Sequence, residues 1–182
     1  PILVAGANGF TGRFVCQYLI KEKISFIALL RPGRHPGWFK KRNISVRYAN
    51  LNNYAELTIS LQGCSALLNI ASIGFGSAPS IIKACKKANI QRVVFISTTA
   101  IFTKLNAKSK KVRLNAERII KESKLNWTIL RPTMIFGTPN DRNIIRLIKW
   151  IDKYPIIPIF GKGENLMQPV NVKDVASAAV KV

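Results

Sequence analysis

The run ILVAGANGFTGR at residues 2–13 constrains this chain more than any other feature. Ile2 to Ala5 is apolar, partly β-branched and uncharged, the pattern of a strand buried on both faces of a parallel sheet. Arg13 to Ile20 then places Phe14, Val15, Tyr18 and Leu19 at helical spacing. Gly6, Gly9 and Gly12 therefore fall three residues apart at a strand-to-helix turn. A helix N-terminus presents unpaired N–H groups and partial positive charge, and a turn without Cβ atoms lets an anion come close. A bare glycine triplet also serves as a tight turn needing unusual backbone angles. Directly after a strand and opening a helix, it reads as a diphosphate cradle.

The rest of the chain alternates strand and helix. Ile24 to Leu30, Ile44 to Ala49, Ala66 to Ile70, Arg92 to Ile96 and Trp127 to Leu130 read as strands two to six. Between them, Asn53 to Leu61, Pro79 to Ala88 and Ser109 to Ser123 read as helices. The second of these turns Ile81, Ile82 and Cys85 to one face and lysines to the other. The third is expected to be capped by Ser109, with Val112, Ala116, Ile119 and Ile120 inward. Ile144 to Ile151 reads as a helix, Met167 to Val172 as a short strand, and Val175 onward as a final helix. This order predicts an α/β, doubly wound parallel sheet, with its ligand across the carboxyl ends of the strands.

Composition narrows the chemistry. The 182 residues suit one domain, and 48% hydrophobic with 20% charged residues marks a globular chain. No stretch reaches the roughly 20 apolar residues of a membrane span. The chain opens on its first strand, so no signal peptide is expected. Cys16, Cys64 and Cys85 are odd in number and widely spaced, which suggests buried thiols in a reducing, cytoplasmic setting. With His35 as the sole histidine, neither a histidine–cysteine metal site nor a serine–histidine triad has its parts. Lysine and arginine number 29 against 8 acids, but they are spread along the chain without interleaved stacking aromatics. A solvated basic surface is the favoured reading; an RNA or acidic protein partner stays open, as does a homo-oligomer.

GANGFTG at the first turn, NIAS after strand four, VVFISTTA at strand five, ILRPTMIFG at strand six and QPVNVKDVA near the end recur in a familiar order. Together they resemble the extended and atypical short-chain dehydrogenase/reductases of the NAD-dependent epimerase/dehydratase group, over essentially the whole chain. The resemblance implies a Rossmann fold binding NAD or NADP over residues 1–182, with 133–182 contributing the start of a substrate-binding part. Gly6, Gly9, Phe10 and Gly12 would hold the diphosphate, with Asn8 beside them in the cofactor set. Asn50, after strand three, would meet the adenine, with Leu51 beside it in the cofactor set, and Ala71 and Ser72 would lie along the nicotinamide ribose. Ser97, Thr98 and Thr99 would border the reaction centre, while Pro132, Thr133, Met134 and Ile135 line the nicotinamide pocket.

Two departures from the family pattern stand out. The family's usual engine is a tyrosine followed four residues later by a lysine. Aligned on Ala116 and Glu117, those positions hold Ser109 and Arg113, and no tyrosine elsewhere has a lysine at that spacing. A serine hydroxyl is a far poorer proton donor than a phenol with a pKa near 10. Arg113 can still offer hydrogen bonds and charge to a cofactor hydroxyl or phosphate. The second departure is length, because extended members continue past the QPVNVKDVA region; the substrate cap is expected to be shortened or reduced. Two classes of function therefore stay open. One is an atypical oxidoreductase in which Ser97, Thr98 or Thr99 polarises a carbonyl. The other is a non-catalytic dinucleotide-binding sensor or assembly subunit, with a nucleic-acid-associated role for the basic surface as a third.

Cofactor choice is legible at strand two. Folds that select NAD place an acid at its end to accept from the ribose 2′-hydroxyl. Here that position holds Arg31 with Arg34 close behind, and the only carboxylate before Glu56 is Glu22, which precedes the strand. Arginines there suit a 2′-phosphate, so NADP is favoured over NAD.

Overall fold

The computed structural model describes residues 1–104, 108–139, 141, 144–154, 156–157, 159, 162, 164 and 166–182. Six parallel strands form the main sheet: β1 (Ile2–Ala5), β2 (Phe26–Leu30), β3 (Val46–Tyr48), β4 (Ala66–Asn69), β5 (Arg92–Ile96) and β6 (Asn126–Leu130). Their spatial order is β3-β2-β1-β4-β5-β6. β1 thus lies between β2, with Ala5 beside Leu29, and β4, with Ala5 beside Asn69. The chain order reverses at β1, and a crevice opens outside the carboxyl ends there. The doubly wound sheet expected from the alternation is the one observed.

The helices divide between the two faces. α1 (Phe10–Lys21) and α7 (Val172–Lys181) pack on each other over one face, where Val15, Leu19, Ala28, Val94 and Ala176 are buried. α3 (Tyr54–Leu61), α4 (Ala78–Lys87) and α5 (Lys108–Lys121) cover the other, around Leu3, Leu57, Ile81, Phe95 and Ile120. Both faces being covered explains why the central strands are apolar without alternation: all five residues of β2 are buried. As read from the sequence, α4 buries Ile81, Ile82 and Cys85.

Several boundaries differ from expectation for local reasons. β2 starts at Phe26 because Lys23 takes a positive φ of 56° and Ile24 N–H closes onto Leu19, ending α1. β3 starts at Val46 because Ile44 N–H bonds Phe39, closing a helical turn the sequence reading missed, α2 (Gly37–Lys40). α5 begins one residue before Ser109, so Ser109 lies in the helix's first turn rather than at its cap. Val112 on the same helix is exposed, not inward, while Ala116 and Ile120 are buried. α7 starts three residues earlier than expected, with Asn171 accepting from Lys173 N–H as its cap.

Beyond β6, β7 (Ile135–Phe136) pairs in parallel with β8 (Val170–Asn171) as a small second sheet. The amphipathic helix α6 (Ile144–Lys153) lies between them in sequence. Part of residues 133–182 falls outside the described set. Among the described residues, no helix is long and apolar enough to cross a membrane. No group of three or more His, Cys, Asp or Glu side chains there could hold a metal.

The core is tight at β5. Phe95 is fully buried and packs toward the α3–α5 face. Phe95→Ala should lower unfolding free energy by about 3–5 kcal/mol in denaturant titration.

Candidate dinucleotide cleft

The three glycines of the first turn have three different jobs. Gly6 has a φ of +78°, and a Cβ there would lie 2.6 Å from the Ala71 backbone nitrogen. Only glycine fits both the angle and the approach of the loop after β4. Gly12 is buried in the first turn of α1, where a Cβ would sit 2.1 Å from the Gly6 carbonyl oxygen. It lets the helix start lie directly against the turn. Gly9, the N-cap, has an ordinary φ of −75°, and its Cβ would come no nearer than 3.3 Å to Gly6 O. Protein packing therefore demands glycine strictly at Gly6 and Gly12, while Gly9 is exposed at the mouth of the crevice.

That crevice is an open cleft of about 1400 Å³. The glycine turn and α1 N-terminus form its floor, through Gly6, Asn8, Gly9, Phe10 and Gly12. The first N–H groups of a helix lack partners within it, so Phe10 to Gly12 carry donors and a positive dipole end into the cleft. A turn bare of side chain at the exposed Gly9, above a helix N-terminus, fits a dinucleotide diphosphate. On the β2 side, Arg31 and Arg34 line the same cleft. They are the first and last residues of a tight turn, closed by Arg34 N–H to Arg31 O at 3.1 Å, with Gly33 at φ +80°. Pro32 then Gly33 is the chemistry of a type II turn, which brings its end residues together.

Leu51 lines the cleft after β3, but Asn50 does not. Its amide oxygen accepts from Asn52 N–H at 3.0 Å and its own N–H donates to Glu56. At the opposite end the cleft is bounded by Ala71, Ser72, Thr98, Thr99, Thr133, Met134 and Ile135. Ser72 accepts from Gly74 N–H at 3.2 Å, and Thr98 from Ala100 N–H at 3.2 Å. Each hydroxyl spends an acceptor site on its own loop and keeps its proton to donate. Thr99 is held by its N–H to Pro132 O at 3.1 Å, which extends the β5–β6 ladder to the cleft edge. Pro132 itself lies behind that edge.

Three expected reaction-centre residues lie outside the cleft lining. Ser97 is buried, its hydroxyl turned toward Glu117 without completing a hydrogen bond. Ser109 is exposed on α5. Arg113 is half-buried and lies over Gly74, so close that a Cβ on that glycine would be 3.1 Å from the guanidinium. The sequence reading also missed Arg13, which lines the cleft from the first turn of α1. Its signal was a cation directly after the third glycine.

Below Ser97, Glu117 on α5 holds Arg131 at the end of β6, with Nε to Oε1 at 3.0 Å. Burial alone would raise the Glu117 carboxyl; the Arg131 hydrogen bonds, helped by the Ser97 hydroxyl and nearby cations, outweigh it and lower its pKa. This pair fixes the strand end that carries Thr133 to Ile135 into the cleft.

The fold and the cleft together define a dinucleotide-binding protein of Rossmann type. A family model described as NAD(P)H-binding matches residues 6–182, and the chain belongs to that family. Its cofactor is thus NAD(P). A 2-alkyl-3-oxoalkanoate reductase of Shewanella oneidensis is 24% identical over 97% of this chain and 55% of its own length. Subunit 9 of the NADH dehydrogenase [ubiquinone] 1 alpha subcomplex of Arabidopsis thaliana is 29% identical, over 97% of this chain and 48% of that protein. The chain spans about half the length of the curated relatives it matches. An NADPH-dependent quinone oxidoreductase of Escherichia coli, solved with NADPH, shares the fold with a TM-score of 0.79. It is 23% identical, and the match covers all of this chain and 64% of that one.

Three variants test this geometry. Gly9→Val should keep a cooperative melt yet abolish dinucleotide binding in calorimetry, whereas Gly12→Val should not fold. Arg131→Ala should cost about 2–3 kcal/mol at neutral pH by stranding a buried carboxylate. The pair's contribution is complete above the ordinary glutamate pKa of about 4.3 and is lost as pH falls through the depressed folded value. The stability gap between variant and wild type should therefore close in acid denaturant titrations.

Proposed function

We propose that this chain is the cofactor-binding part of an NADP(H)-preferring oxidoreductase of the atypical short-chain dehydrogenase/reductase kind. Residues 133–182 would begin its substrate-binding part. The observation that carries the cofactor preference is Arg31 at the tip of β2, facing a cleft with no carboxylate among its described lining residues. A ribose 2′-hydroxyl would find no acceptor side chain of the NAD-selecting type there, whereas a 2′-phosphate would find charge-assisted donors. The quinone oxidoreductase with the same fold was solved with NADPH, which supports this choice.

The nicotinamide, when bound, would supply or accept a hydride. Thr98 and Thr99, at the cleft edge, would donate a hydrogen bond to a substrate carbonyl oxygen and favour charge developing there. Met134 and Ile135 would give the ring an apolar wall. Arg113, over Gly74, would stiffen the loop after Ser72 and add positive potential behind the ribose. Proton transfer is the weak element: Ser109 is exposed, outside the cleft lining, and a hydroxyl of high pKa. That placement favours slow turnover, and it supports the second reading, a non-catalytic dinucleotide-binding subunit. One relative is itself named as a subunit of a larger enzyme. Single-turnover hydride transfer from bound NADPH separates the two.

NADPH should bind more tightly than NADH by about 1.5–3 kcal/mol, the scale of a charged hydrogen bond. Calorimetric titration of both cofactors into wild type and Arg31→Ala decides it. Equal wild-type affinities, or an unchanged preference in the variant, would reduce Arg31 to surface charge. A wild-type pH–rate profile governed by a phenol-like ionisation would contradict the reading of Ser109 and Arg113.

A further inference from the structure

Arg13 occupies an electrostatically awkward place. It sits in the first turn of α1, where the helix dipole disfavours a cation, and that turn contains no acid. Its guanidinium is partly buried, and burial together with the nearby Arg42 charge lowers its pKa, against a smaller opposing effect of Cys16. No carboxylate among the described residues pairs with Arg13, Arg31 or Arg34.

The side chain is nevertheless held in one place. Nε donates to Asn8 Oδ1 at 3.0 Å, and Nη2 donates to the same oxygen. The guanidinium carbon lies 4.7 Å from the ring centre of Trp38 and 5.0 Å from that of Phe39, both on α2. Trp38 and Phe39 meet edge to face at 78°, and a cation held between such rings and an amide oxygen keeps its place while its remaining N–H groups stay available for hydrogen bonding. α2 follows the Arg31–Arg34 turn, so this stack draws Arg13 toward the β2 side of the cleft. The diphosphate cradle is met by the backbone N–H groups of α1 instead. The β2 side is where Rossmann proteins read the ribose 2′ position.

We propose that Arg13 is a further specificity-determining residue, which with Arg31 and Arg34 forms a three-arginine site for the 2′-phosphate, pre-set by Asn8, Trp38 and Phe39. This rests on the dinucleotide reading of the cleft. The dianion supplies the counter-charge that three guanidinium groups and a helix N-terminus lack. A 2′-hydroxyl cannot supply it. Asn8 holds the fork through its amide oxygen, and Trp38, which also carries Arg42 at 4.2 Å, holds the cation by its ring, so both act as positioning residues.

The test uses wild type, Arg13→Gln, Arg13→Lys and Trp38→Leu, titrated with NADPH, NADH, adenosine 2′,5′-bisphosphate and AMP. Arg13→Gln should weaken NADPH and the bisphosphate about tenfold or more, the scale of one charge-assisted hydrogen bond. NADH and AMP should change by no more than about twofold, as no charged bond to them is lost. Arg13→Lys, which keeps the charge but not the fork, should retain an intermediate preference and guards against a misfolded glutamine variant. Trp38→Leu should shift the NADPH-to-NADH ratio in the same direction by a smaller factor. If Arg13→Gln weakens both cofactors equally, Arg13 is scaffold only and the inference fails. It also fails, with the broader reading intact, if wild type prefers NADPH and Arg31→Ala alone erases that preference. A wild type that binds neither cofactor overturns both.

Discussion

The approach of Gly12 to the Gly6 carbonyl is the contact on which the site depends. With only 2.1 Å between that oxygen and any Cβ at position 12, the start of α1 can lie against the turn only if residue 12 has no side chain. This contact sets the direction of α1 and aims its unpaired N–H groups into the crevice. On the other side, a Cβ at Gly6 would lie 2.6 Å from the Ala71 backbone nitrogen, a less severe but still forbidden approach that seats the loop after β4 against the same turn. Two glycines thus lock three segments together, and Gly9 leaves the centre of that junction open. The parallel sheet supplies the crevice, and the glycine turn with the α1 N-terminus forms its floor.

Charge is organised around this junction in an unusual way. The chain carries 29 lysines and arginines against 8 acids, and among the described residues the cleft is lined by three arginines and no acid. Two come from the tight turn after β2, where Pro32 and Gly33 bring Arg31 and Arg34 side by side, and the third from α1. The aromatic pair on α2 connects the turn to the helix by stacking on Arg13. At the far end the polar groups are neutral hydroxyls held by their own loops. The cleft is therefore graded, cationic where a nucleotide phosphate would lie and uncharged where a hydride would move.

Most of the fold was legible because hydrophobic burial on both sheet faces leaves a plain mark. β5 was read with the boundaries it has, and the inward face of α4 was read correctly, since Lys83, Lys86 and Lys87 leave only one side to bury. Errors clustered where backbone geometry rather than burial decides. The positive φ at Lys23 and Asn43 ended α1 and the turn after α2, trimming two strands that apolar residues alone would have extended. α2 is only four residues long, too short for periodicity to reveal. The α7 start was signalled by Asn171 as a capping residue, a cue that the apolar pattern from Val175 overshadowed. In the cleft lining, the glycine turn and Arg31 fall where their positions after β1 and β2 put them. Arg13 was not legible that way, because its meaning comes from Trp38 and Phe39, 25 and 26 residues further along. The outward place of Ser109 was likewise invisible, since an alignment assigns a position but no orientation.

The central claim is that the glycine turn and its arginine-lined cleft hold a dinucleotide phosphate. Native mass spectrometry of the purified protein tests it most directly, first as isolated and then with NADPH or NADH added. The account predicts one dinucleotide per chain, retained on purification or taken up on addition, with NADP(H) displacing NAD(H) in a mixture. A chain that stays bare in excess of both cofactors while its melt is cooperative would contradict it.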